Sequence, residues 1–200
     1  MQFTSFVVAA LSVGSAFAAP APATRDIQIV DTALSAVSSI KALVEAELSS
    51  IESVVQNAVG QDVVPILEKT LGNVGQEVSS LLTVVLPLVT KDVLPLAENE
   101  IANVPALLNE VLSIVDGILG MAEDLVEKLV PDVLAIVKPE LSFVLNTVIP
   151  VVKPVLKFAT SAVGDVVTPV AKEVTGLVGQ VDSVASGILK PIGGVVVAIL

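Results

Sequence analysis

The side chains able to do chemistry in this chain are carboxylates, lysines and serines, because it contains no histidine, cysteine, tryptophan or tyrosine. That removes the usual nucleophiles, general bases and soft metal ligands. A serine nucleophile without histidine needs a lysine base in a defined pocket, and no spacing here proposes one. Glu98/Glu100 and Glu123/Asp124/Glu127 are spaced to hold calcium or to share acid and base roles, but the same spacing describes the solvated face of a helix. Gly72-Asn73-Val74-Gly75 and Gly193-Gly194 lack any phosphate-loop pattern and read as breaks. The expectation is therefore a non-enzyme with no cofactor and no metal.

With chemistry this sparse, attention moves to the elements that would carry a binding face. From Val63 to the C-terminus an apolar pattern repeats every 11 residues. The four phases through Val63, Val64, Leu67 and Leu71 visit 51 positions, of which 47 are aliphatic, whereas the other seven visit 87 with 27 apolar. Eleven residues over three turns is about 3.67 per turn, close to the α-helix, so the stripe stays on one side without strong supercoiling. The prolines from Pro65 onward all fall off the stripe. The expected fold class is all-α: Pro-punctuated amphipathic helices forming an up-down helical bundle.

Residues 1–18 read as a secretory signal, with an apolar Phe6–Phe17 stretch and a small-residue cleavage pattern at Ala16-Phe17-Ala18. Residues 19–25 then form a flexible Ala/Pro mature N-terminus. Residues 26–60 form a first amphipathic helix, with Val30, Leu34, Val37, Ile40, Val44, Leu48, Ile51, Val55 and Ala58 at three- and four-residue steps, stopped by Gly60. Residues 61–200 form the Pro-punctuated array. Because an interior helical proline costs roughly 3 kcal/mol, each proline is expected at a first turn or a kink. Helices are expected over Pro65–Leu86 and Pro105–Val130, and the crowded Pro139–Pro154 stretch is expected to break into short pieces. Asp62–Glu68 is echoed at Asp92–Glu98, and Asn73-Val74 at Asn103-Val104, an offset of 30 rather than 33. Valine is abundant, but strand-like alternation is not sustained anywhere, so helix wins.

Stability without disulfides has to come from apolar burial. The net charge of −11 argues against nucleic acid and against electrostatic attraction to anionic lipid. No run of 18 or more apolar residues follows the leader, so no transmembrane span is expected. An amphipathic array closes on itself most simply, with its stripe as the core. Three features suit a further role. After the leader only Phe143 and Phe158 are aromatic, the repeated aliphatics do little to define one register, and the off-stripe prolines let helices bend while keeping one face continuous.

The segment Arg25-Asp26-Ile27, leading into Val30-Asp31-Thr32-Ala33-Leu34-Ser35-Ala36-Val37-Ser38-Ser39-Ile40 behind the Ala-Pro run, resembles the fungal hydrophobic surface-binding protein and cell-wall mannoprotein family. The resemblance covers roughly Arg25 to Leu48. It implies a secreted helical bundle that adsorbs to hydrophobic surfaces or holds fatty acids. By class, the 11-residue pattern also resembles the repeats of exchangeable apolipoproteins. The leading expectation is a secreted, extracellular or cell-wall protein whose aliphatic face binds hydrophobic surfaces, lipids or fatty acids, with self-association allowed. The contact is expected through Leu67, Leu71, Val78, Leu82, Val93, Val104, Val115, Val126, Val137, Val148, Val170 and Val181. The alternatives are a structural cell-wall protein whose stripe only packs its own core, and a secreted effector.

Overall fold

The computed structural model describes residues 28–57, 63–90, 96–164 and 168–188. The leader, the Ala/Pro segment and Gly193–Leu200 lie outside the described residues. Five helices follow in order: α1 (Ile29–Asn57), α2 (Val64–Thr90), α3 (Glu98–Lys128), α4 (Pro131–Val163) and α5 (Pro169–Ile188), with no strand among the described residues. The chain is all-α, as its periodicity predicts.

The expectation that proline would break the Pro139–Pro154 stretch into short pieces is not met. Pro65, Pro131 and Pro169 occupy first turns, where a missing N–H costs nothing. Pro87, Pro105, Pro139, Pro150 and Pro154 instead lie inside helices. Thus α3 starts at Glu98 and runs through Pro105, α2 runs through Pro87, and Pro139–Pro154 is one uninterrupted helix rather than short pieces. Magnitudes explain the correction. Thirteen residues of α4 are buried, among them Val137, Leu141, Val148 and Phe158. At roughly 1.5–3 kcal/mol per large buried side chain, their burial outweighs roughly 3 kcal/mol per proline. Pro139 and Pro150 stand three turns apart on the exposed side, where their rings disturb no packing.

Contacts between helices define two layers. In one, α1 packs on α3 and α3 on α5; in the other, α2 packs on α4; and α1·α2, α3·α4 and α4·α5 join the layers. The helices α1 and α3 run parallel. Residue pairs climbing together along α1 and α3 show this directly: Val30 with Glu100, Lys41 with Glu110, and Leu48 with Gly117. Two residues, Leu129 and Val130, suffice to turn α3 into α4. Gly164 ends α4 at φ 51°, a left-handed conformation that favours glycine.

The core runs between the layers and is almost wholly aliphatic, with Phe158 as its aromatic ring. In α1, an edge helix, burial narrows to a heptad line of Val30, Val37, Val44 and Ile51, with Ala33 beside it. At the other edge, the outward positions of α5 are polar or small, including Lys172, Glu173, Thr175, Gln180, Asp182 and Ser183. That polar face ends the stack on this side.

Candidate functional site

The aliphatic face proposed to bind is the core of this bundle. Leu67, Leu71, Val78, Val104, Val115, Val137, Val148 and Val181 are buried. Leu82, Val126 and Val170 are half-buried, and Val93 lies outside the described residues. The eight buried side chains are brought together facing one another, not facing solvent.

The four stripe positions that are not aliphatic, Gly75, Glu100, Glu140 and Glu173, are informative. A Cβ on Gly75 would lie 2.3 Å from Cε1 of Phe143, so the missing side chain is the seat of that ring. Glu100 is 3% exposed, and its Oε2 accepts a 2.5 Å hydrogen bond from the Val30 N–H. That N–H is one of the orphan donors at the start of α1, so a side chain on α3 caps α1. Oε1 of Glu100 and Oε2 of Glu140 are buried without a partner. Glu173 is exposed, where the stripe's edge turns to solvent on α5.

Polar contacts concentrate on α1. The repeated asparagines share a role that the 30-residue echo only hinted at. Asn73 donates to Glu47 Oε1 at 3.0 Å, and Asn103 donates to Asp31 Oδ1. Each thereby ties a following helix to α1, and the valines after them, Val74 and Val104, are fully buried. Lys41 Nζ sits 3.0 Å from Glu110 Oε2 and 3.7 Å from Glu45, and the bond to Glu110 is the main cause of its raised pKa. Burial, and then the charge of Glu47, push the Glu77 carboxyl upward.

Sequence reasoning missed the apolar groups that do face outward. Phe143 is 46% exposed and Ile136 42%, two turns apart on one side of α4. Leu86, 49% exposed, stands three turns beyond Gly75 on the same side of α2. Because the Phe143 ring lies on Gly75, it marks a seam between α2 and α4, with Ile136 and Leu86 exposed along the same sides of those helices. The available signal was phase: Ile136 and Phe143 are large apolar residues off the 11-residue stripe. Charge is uneven along the chain as well. Residues 1–130 hold five basic and sixteen acidic side chains, the whole net charge, whereas residues 131–200 hold five of each. The seam's main helix, α4, therefore belongs to the neutral half and exposes Lys153 and Lys157.

Among the described residues no three acidic side chains converge as metal ligands. α3 and α4 are long and apolar enough to cross a membrane by length and composition, and half and 39% of their most apolar windows are buried in the bundle. Comparison with protein-family models, with curated proteins and with solved structures finds no match for this chain.

Proposed function

We propose that this is a secreted, non-enzymatic protein that binds hydrophobic surfaces or lipids in two stages. The seam of Ile136, Phe143 and Leu86 makes first contact, and separation of the helices then offers the aliphatic stripe. The observation that carries this reading is the seam itself, with one of the two aromatics beyond the leader half-exposed on the net-neutral part of an acidic chain. Magnitude requires the second stage. Half-exposed Phe and Ile side chains contribute on the order of 1 kcal/mol each on burial, enough only for weak, reversible contact. The stripe holds far more, but most of that is already committed to the core. The leader-like residues 1–18 and the likeness of Arg25–Leu48 to fungal surface-binding proteins support an extracellular or wall location.

The test is partitioning of mature protein onto octyl-coated beads and phosphatidylcholine vesicles. Phe143→Ser with Ile136→Ser is expected to weaken adsorption about 30-fold, the factor for roughly 2 kcal/mol, at unchanged helicity. Cross-linking Lys41→Cys to Glu110→Cys, unique thiols in a cysteine-free chain, ties α1 to α3 and should leave only the weak first stage. Unaltered adsorption in the double variant would remove the seam from the account. A second reading, a structural wall protein whose stripe only packs its own core, is favoured by the burial of the stripe. It requires that the parent adsorb to neither material and melt cooperatively.

A further inference from the structure

We infer that a cleft between the C-terminal halves of α1 and α3 is a binding site for a single-chain cationic amphiphile, such as a long-chain primary amine. The cleft, of about 430 Å³, lies on the α1–α3 side of the molecule, away from the α2–α4 seam. Its volume falls in the range of small-molecule pockets, roughly 300–1,000 Å³. Leu48, Ile51, Val55, Met121 and Leu125 supply an apolar floor. Gly117 keeps it low, since a Cβ there would already press on Leu48 at 3.0 Å.

The rim selects the head group. Glu45, Glu52 and Asp124 stand against one lining ammonium, Lys128. Lys41 also reaches Glu45 at 3.7 Å, but it is held closer by Glu110 at 3.0 Å, so the rim stays net negative. Lys128 is already engaged by Asp124 at 2.8 Å. Glu52 is held through Oε1 by the neutral amide of Gln56 at 2.9 Å, which leaves its charge uncancelled by that bond. The fold adds to this field. Because α1 and α3 are parallel, both end beside the cleft, and two helix C-termini place their partial negative charges at the same end. An apolar floor under a negative rim fits an alkyl chain carrying a positive head and disfavours a fatty-acid carboxylate.

This inference is independent of surface adsorption through the seam. Calorimetric titration of the mature protein, below the micelle threshold, compares dodecylammonium, dodecanol and dodecanoate. One equivalent of dodecylammonium should bind, at least tenfold tighter than dodecanoate, with dodecanol between. Ser49→Trp, at an exposed rim position, should fill the cleft and abolish binding. Glu52→Lys should erase the preference for the amine, whereas Glu173→Lys, the same charge change on α5, should preserve it. The Phe143→Ser/Ile136→Ser protein should bind the amine like the parent, which separates cleft from seam. Equal or tighter binding of dodecanoate, retention of binding in folded Ser49→Trp, or an equal effect of Glu173→Lys would overturn the assignment.

Discussion

Glu100 shows how one residue inside an otherwise apolar phase can carry structure. Its Oε2 caps the Val30 N–H across two helices. Glu100→Ala leaves that donor without its acceptor and should cost about 1–2 kcal/mol, whereas Glu100→Gln keeps an acceptor and should stay within about 0.5 kcal/mol. Urea melts of the two variants measure the difference, and equal midpoints would deny the cap. Glu77 makes a pH-dependent prediction. Its folded pKa lies above the ordinary glutamate value of 4.5, because burial and then Glu47 disfavour the charged form. An acid raised on folding stabilises fully below its unfolded pKa, and that contribution is lost as pH rises through the folded pKa. Glu77→Gln should therefore raise the melting midpoint at pH 7, by about 1–2 °C for a surface-scale gain near 0.5 kcal/mol, with the advantage vanishing below pH 4.5. An equal gain at both pH values would point away from ionisation. Neither role was legible beforehand, because Glu98/Glu100 and Gln76-Glu77 look like any solvated helix edge until a second helix is placed against them.

At the scale of elements, the stripe located the helices and the prolines misled. α1 falls within the expected 26–60, α2 covers the expected Pro65–Leu86, and α3 covers the expected Pro105–Val130 up to Lys128. The error came from weighing each proline locally, as a lost N–H and a clash, without the burial that the whole helix gains on its other side. Pro139 tests this balance, since its ring is exposed and its helix is continuous. Pro139→Ala restores a hydrogen bond to the Ala135 carbonyl and should stabilise the protein by about 1–3 kcal/mol. A rise in the urea midpoint with slightly greater helicity is the expected result. A loss of stability would mean that the proline ring itself contributes to the fold of α4. The stiffer helix should also adsorb more slowly if parting of the helices limits the second stage.

At the scale of the whole molecule, the same face cannot be core and binding surface at one moment. Val137 is fully buried and Val126 half-buried, though both belong to the same phase of the repeat. Val137→Asp buries an unpaired carboxylate and should cost more than about 3 kcal/mol, enough to populate open or unfolded forms. Val126→Asp should cost markedly less. Comparing their circular-dichroism melts checks this ordering, which the 11-residue repeat alone would not produce because it treats the two valines as equivalent. Packing into two layers makes them different: neighbouring helices cover Val137 completely and leave part of Val126 in solvent.

The sequence by itself determined that the chain is helical, that each helix has one aliphatic side, and that histidine and cysteine chemistry is absent. Those properties follow from residue type and from a period near that of the α-helix, and need no partner element. Only the tertiary structure decided which way the stripe faces, that Glu100 caps another helix, that Phe143 rests outside on Gly75, and that α1 and α3 run parallel with a cleft between their ends. Each of these depends on which helices become neighbours. A periodic stripe of nearly interchangeable aliphatics says little about that, so the exceptions to the stripe carry the information its regularity lacks.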